Sequence, residues 1–273
     1  MVAKLKRRWT QFEEDTLRQM YSQTHPSELA KSLNRSKHAV LDRAFSLGLH
    51  TTVNYSRPWK IKSFEPSAVL SYLIGAIKGD GSVYISKKEK VYKYEITLSA
   101  KDYEFVDTVS KALITITGKK ASICKINQTL NNKMNYIFKT QVHDKSLAYF
   151  LTQPFESLKK YIEPYPSQFL RGFFDAEGAA MSQVLNRKNK EGFSKKHSLA
   201  VIRIYNTDKQ LIDFCRYLLI KLKIYPSPKT YITKGNLCEN PKDCYVLQVA
   251  KKKSVKRFMS AIGTSIPRKR LNV

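Results

Sequence analysis

A block of the chain occurs twice. Tyr72-Leu-Ile-Gly-Ala-Ile-Lys-Gly-Asp-Gly81 returns as Phe169-Leu-Arg-Gly-Phe-Phe-Asp-Ala-Glu-Gly178, with Asp80 and Glu177 in matching places. The same order of elements follows each copy. After the first, residues 82–86 and 93–99 alternate as strands do, with Ile96 and Leu98 on one face and Lys93, Glu95, Thr97 and Ser99 on the other. After the second, residues 181–185 and 199–205 do likewise, Ile202 and Ile204 alternating with Val201, Arg203 and Tyr205. A helix then follows in both: 103–116, with Phe105, Val109, Ala112 and Leu113 at helical spacing, and 209–222, with Leu211, Ile212, Cys215 and Leu219. Two more strands and a last helix complete each unit as αββαββα. The fold class expected is α+β, two tandem units packed as a pseudo-dimer that shares a core and presents a combined sheet surface outward.

Within the repeated block, Gly75 and Gly79 lie four apart on one helix face, as do Gly172 and Ala176. Each glycine costs a helix about 1 kcal/mol, so their coincidence calls for a reason: residues without bulk let two helix backbones approach closely. A carboxylate ends each helix, and Gly81 or Gly178 follows as a C-terminal cap. Acids there meet the negative end of the helix dipole, a penalty of about 0.3–1 kcal/mol each, and the two would lie close together. Something positive has to compensate, and a divalent cation with hard oxygen ligands fits.

The charge balance identifies the partner. Among 273 residues, 49 Lys and Arg stand against 22 Asp and Glu, a formal net charge of +27. The excess is spread as +6 over residues 1–60, +7 over 61–160 and +14 over 161–273. Such a chain calls for a polyanion, and with Lys and Arg dispersed among Tyr, Ser, Thr and Gln in strand-like segments, nucleic acid is favoured over a membrane surface. No run of about 18 uncharged apolar residues exists, and no apolar signal core follows residues 1–8, so the expected location is intracellular: cytoplasm, nucleoid or an organelle. Cys124, Cys215, Cys238 and Cys244 form no CxxC pair and read as reduced thiols. Residues 1–50 read as a small domain of three helices, 10–22, 26–33 and 36–47, with Thr10 and Glu13 at capping-box spacing and Ser36 as a further cap. Residues 51–65 form a linker, 66–160 the first repeat and 161–273 the second.

Leu73–Gly81 and Leu170–Gly178 resemble the two copies of the LAGLIDADG motif in single-chain homing endonucleases, and the likeness extends in element order over about residues 66–265. The resemblance implies a DNA-binding saddle and a metal-dependent, site-specific endonuclease that cuts both strands of DNA at a long site, leaving staggered ends. It assigns metal binding to Asp80 and Glu177, with the carbonyls of Gly79 and Ala176 assisting, and Mg²⁺ or Mn²⁺ as the working ion, Ca²⁺ being a non-catalytic substitute. It places a basic or polar residue at the strand-to-helix turns, which here are Ala100-Lys101 and Asn206-Thr207. Lys101 fits that role; Thr207 is not basic, and Lys209 nearby reads as a solvated helix residue.

Double-stranded DNA is then read by sheet side chains in the major groove, with Lys and Arg on phosphates. The outward set is Tyr84, Ser86, Lys88, Lys93, Glu95 and Thr97 in the first repeat and Gln183, Arg187, Arg203 and Tyr205 in the second. The later strands add Lys125, Lys139, Lys229 and Gln248. Residues 187–197 read as a long basic loop. The N-terminal helices resemble a Myb-like helix-turn-helix whose third helix offers Lys37, His38 and Arg43 to DNA. A monomer is expected, since one chain carries both halves. An RNA-binding intron maturase and a non-catalytic transcription regulator on the same fold are the alternatives; both acids are present, which favours the nuclease.

Overall fold

The computed structural model describes residues 8–49, 62–88, 91–130, 133–188, 194–228, 230–234 and 243–271. The chain divides into two compact units, Met1–Lys60 and Ile61–Val273. Most of the linker expected at 51–65 lies outside the described residues, as do Lys229 and Cys238.

The first unit holds α1 (Gln11–Met20), α2 (Pro26–Ser32) and α3 (Lys37–Ser46). Thr10 and Glu13 cap α1 reciprocally, and the Ser36 hydroxyl accepts from the Ala39 amide to start α3. Their apolar faces meet in a small core of Leu17, Tyr21, Leu29, Ala30, Leu33, Val40 and Ala44. A buried ion pair braces it: the Arg35 guanidinium donates to Glu13 at 2.8 and 3.0 Å and lies 4.5 Å over the Trp9 ring. Four residues join α2 to α3, and the turn uses Asn34 in the left-handed conformation (φ 47°).

The second unit runs α4 (Ala68–Asp80), β1 (Gly81–Lys88), β2 (Val91–Ala100), α5 (Tyr103–Thr117), β3 (Ser122–Leu130), β4 (Lys133–Val142), α6 (Lys145–Leu151) and α7 (Phe155–Ile162). The order then recurs as α8 (Pro166–Glu177), β5 (Gly178–Lys188), β6 (Ser194–Asn206), α9 (Lys209–Lys221), β7 (Tyr231–Lys234), β8 (Asp243–Val249) and α10 (Lys252–Ala261), ending in a short 3-10 helix, Pro267–Lys269. Two antiparallel four-stranded sheets result, ordered β1-β2-β4-β3 and β5-β6-β8-β7. The first repeat closes with two short helices where one was expected. Of the loop expected at 187–197, residues 187–188 and 194–197 instead extend β5 and β6, pairing Arg187 with Lys195, and residues 189–193 lie outside the described residues.

A single core spans both repeats, from Leu73, Ile96, Leu98 and Phe105 to Phe173, Ile202, Ile204 and Phe258. The α4–α8 seam is its centre, and it is built backbone to backbone. A Cβ at Gly75 would stand 2.2 Å from the Phe169 carbonyl oxygen and 2.9 Å from the Phe173 amide; one at Gly172 would stand 2.2 Å from the Tyr72 oxygen and 2.9 Å from the Ala76 amide. These equal pairs are the mark of a local two-fold relation. At the C-terminal ends, a Cβ on Gly79 would meet that of Ala176 at 2.3 Å.

Since the obstruction is backbone, no rotamer relieves it. Gly75→Val or Gly172→Val is expected to destabilise the second unit by about 3 kcal/mol or more. Urea denaturation should show an equally large loss for both, while Gly118→Ala, at an open turn, changes the midpoint far less.

Candidate active site

Both repeated blocks end in the same way. The Gly81 amide donates to the Ile77 carbonyl and the Gly178 amide to that of Phe174, and the chain passes directly into β1 and β5. Neither glycine is left-handed; their φ values are −84° and −94°. They are glycine because a Cβ would fall 2.5 Å from the Ile77 Cα, or 2.0 Å from the Phe174 ring. Asp80 and Glu177 are thereby brought to adjoining helix C-termini, where the carbonyls of Gly79 and Ala176 are among the last four, which no helical amide satisfies.

Asp80 and Glu177 are each partly withdrawn from water, Asp80 being the more exposed of the two. Both carboxyls are held above their ordinary values. Removal from water is the main cause in each; the Asp80 charge adds to the effect at Glu177, and Lys269 opposes it at both. Asn206 Nδ2 donates to Glu177 Oε1 at 2.9 Å, fixing that side chain. The register pairs Gly81 with Leu98 and Gly178 with Ile204, so Ala100 and Asn206 occupy equivalent places, as do Lys101 and Thr207. Lys101 is exposed at the end of β2. Lys209 is paired with Asp213 at 2.8 Å.

Two groups missed in the sequence complete the site. Asp175, 1% exposed, accepts from Tyr72 Oη (2.9 Å), Thr264 Oγ1, the Ser265 amide (3.0 Å) and Ser265 Oγ (2.7 Å). Burial and this carboxylate push the Tyr72 phenol far above its ordinary value. Lys269, 4% exposed, donates from Nζ to the carbonyls of Asp175 (2.6 Å) and Phe174 (3.1 Å). Burial pulls its pKa down. Next to it, Arg268 binds Asp102 through both carboxylate oxygens at 2.7 Å. Asp175 stood in an apolar run, Phe173-Phe174-Asp175, where a carboxylate needs buried partners; that signal was readable. Lys269 lies in Pro267-Arg-Lys-Arg, which reads as a solvated tail.

On the first sheet, Tyr84 pairs with Glu95, Ser86 with Lys93, Ser99 with Lys139 and Thr97 with Gln141, one set on the face away from Ile96, Leu98 and Val142. Lys93 and Lys139 both pair with Glu95, the latter at 3.7 Å, and the Lys93 hydrogen bond chiefly holds that carboxylate below its ordinary value. Lys88 pairs with Val91 at the hairpin end. Lys125 does not belong to this set. It pairs with Phe138, one step out of phase with Lys139, and its Nζ lies 3.8 Å over the Tyr136 ring on the opposite face. On the second sheet, Gln183 and Arg187 hold register positions of the same parity as Arg203 and Tyr205. Arg203 Nε donates to Gln248 Oε1 at 2.9 Å. In the N-terminal unit Lys37 is exposed, His38 pairs with Asp42 at 2.9 Å, and Arg43 pairs with Glu14.

Residues 164–263 match the family described as the LAGLIDADG-like domain. An uncharacterized protein of Methanocaldococcus jannaschii, MJ0398, is 32% identical over 251 residues, covering 86% of this chain and 83% of its own. The homing endonuclease I-DmoI, in crystals with DNA and Mn, has the same fold at a TM-score of 0.50 and 20% identity, covering 73% of this chain and 98% of its own. Its crystal form with DNA and Ca gives the same TM-score, at 19% identity. The chain belongs to the family of the M. jannaschii protein, and its second repeat is a LAGLIDADG-like domain.

Among the described residues no group of three or more His, Cys, Asp and Glu could hold a metal ion, and no helix is long and apolar enough to cross a membrane. The donor set still suits Mg²⁺, which is commonly held by one or two carboxylates with water and substrate phosphate completing its shell.

The raised carboxyls carry a stability cost with a definite sign. A folded-state value above the unfolded one makes a contribution that is full at low pH and is lost as pH rises through the folded-state value. Metal-free protein should therefore lose stability as pH rises just above the ordinary carboxylate range. Melting in Mg²⁺ against EDTA should show a difference that grows over that interval, and Asp80→Asn should remove most of it. A difference independent of pH would contradict this.

Asp175→Leu would leave Tyr72, Thr264 and Ser265 without their acceptor. A loss of about 3–5 kcal/mol is expected in urea denaturation.

Proposed function

We propose that this protein is a site-specific homing endonuclease making a staggered, metal-dependent double-strand cut in DNA. The observation that carries the reading is the placing of two carboxylates, each raised by burial and one by the other's charge, at the abutting C-termini of α4 and α8. Asn206 and Lys269 offset only part of the cost of such a pair, and a divalent cation with a phosphodiester would offset the rest.

Asp80 and Glu177 would hold Mg²⁺ or Mn²⁺, assisted by the carbonyls of Gly79 and Ala176. When bound, such an ion polarises a phosphate oxygen and lowers the pKa of a coordinated water. Each acid serves one strand. Asn206 holds Oε1 of Glu177, leaving Oε2 for the ion, and Lys101 screens the phosphate charge at the Asp80 half. Tyr84, Ser86, Lys93, Glu95, Thr97 and Lys139 of the first sheet, with Arg203, Tyr205 and Gln248 of the second, are the groups facing the duplex, and Gln183 and Arg187 hold register positions of the same parity on β5. The first unit acts as a helix-turn-helix, with Lys37 and His38 on the outer side of α3. A monomer suffices, because one chain supplies both repeats.

Incubation with a randomised duplex library and Mg²⁺, followed by sequencing of the cut ends, should return one extended site with staggered termini. On that site Asp80→Asn and Glu177→Gln should each slow double-strand cutting by about 100-fold or more. Full cutting by either variant would refute the assignment.

Deleting residues 1–60 should weaken binding to the recovered site and flatten its salt dependence, since it removes a +6 segment. An unchanged affinity and slope would exclude a DNA-binding role for that unit.

A further inference from the structure

Lys269 has no task in the reaction as outlined, yet its burial is costly. A lysine is seldom fully buried without partners that repay its lost hydration. Its partners here are the carbonyls of Phe174 and Asp175, both in the last turn of α8, which carries Glu177. The ammonium also lies 5.5 Å over the Phe174 ring.

The segment bearing Lys269 is anchored on both sides. Before it, Thr264 and Ser265 bind the buried Asp175; beside it, Arg268 grips Asp102, the residue preceding α5 in the first repeat. The tail of the second repeat thus straps the ends of both halves together. The turn after β2 offers Lys101, whereas its counterpart after β6 offers Thr207. The strap's cation feels both carboxylates, but its hydrogen bonds go to the end of α8 alone.

We propose that Lys269 is a positioning residue for the Glu177 half of the site, its ammonium locking the last turn of α8, the helix that carries Glu177. The inference rests on the endonuclease reading for its effect on cleavage. Its structural half, the locking of α8, stands by itself. An ammonium bonded to two carbonyls of a helix's last turn, one of which also accepts from the Gly178 amide, ties that turn together and offsets the dipole there. It acts on Glu177 through the backbone that holds it.

Strand-resolved cleavage of the recovered site by Lys269→Met and Lys269→Arg is the test, with Lys209→Met as control. Lys269→Met should accumulate nicked DNA. The strand that depends on Glu177, identified with Glu177→Gln, should be cut about tenfold more slowly, as expected for a lost charge-assisted hydrogen bond. The strand that depends on Asp80 should stay within about a factor of two. Lys269→Arg should recover most of the loss, and Lys209→Met should cut both strands at the normal rate.

In the metal-free full chain, amide exchange of Lys269→Met should quicken at residues 174–178 and not at 77–81. Equal slowing of both strands, or of neither, overturns the cleavage claim; unchanged exchange at 174–178 overturns the locking claim. If the normal protein cuts no DNA, the endonuclease reading has failed, and exchange alone decides the role of Lys269. Should Lys269→Met not fold, Arg268→Ala, which frees the strap from Asp102 and leaves Lys269 itself unchanged, should give the same strand bias and the same local exchange in weaker form; its absence overturns the proposal.

Discussion

The close approach of α4 and α8 is the contact on which the rest of the second unit depends. Gly75 and Gly172 let each helix rest on the other's backbone, and Gly79 against Ala176 carries the approach to the C-terminal ends. Because the two helices run side by side in the same sense there, the geometry brings together two negative dipole ends and two carboxylates. Burying apolar surface along the seam can offset that, at roughly 25 cal/mol per Å², but it cannot remove the charge. The ends of the helices are therefore where the structure has to be polar.

How the charge is answered breaks the symmetry. Lys78 and Asp175 occupy equivalent positions, one residue before the matched Gly79 and Ala176. Lys78 lies near enough to Asp208, the cap of α9 in the other repeat, to feel its charge. Asp102, the equivalent of Asp208, is bound instead by Arg268 from the tail. Each repeat thus meets a cation contributed by the other, one from a motif helix and one from the strap. Asp175 takes the remaining role, an internal acceptor for Tyr72 of α4 and for the strap. Duplicated units need not be duplicated in detail: a shared ancestor-like scaffold tolerates different side chains wherever the sum of charge and hydrogen bonds still closes.

Legibility in the sequence followed the range of each interaction. Local signals were readable: the capping box of Thr10 and Glu13, the helical spacing of Phe105, Val109 and Leu113, and the alternation around Ile96 and Leu98. The matched Gly75 and Gly172 were readable too, since each is a local cost that only a partner explains. Residues 187–188 and 194–197 misled because basic and polar residues weaken the apolar alternation of a strand, while backbone pairing between them holds both segments extended. Lys125 was misplaced because a lysine does not reveal its phase; only pairing with Phe138 does. Lys269 was invisible because its partners lie about a hundred residues away and its neighbours are basic and exposed.

The outward face of the first sheet is not uniformly basic. Glu95 stands between Lys93 and Lys139, and the lysines keep it ionised. The lysine heads are the more exposed partners and Glu95 the more buried, so the lysines can turn to a phosphate while the carboxylate stays in place. What the pairs provide is placement. On a DNA-facing surface, a fixed carboxylate repels phosphate and accepts a hydrogen bond from a cytosine amino group, so it penalises wrong registers as well as rewarding a right one. The lysines beside it attract any phosphate backbone. Under the proposed function, affinity without selectivity would come from the excess positive charge, and selectivity from the few acids set within it.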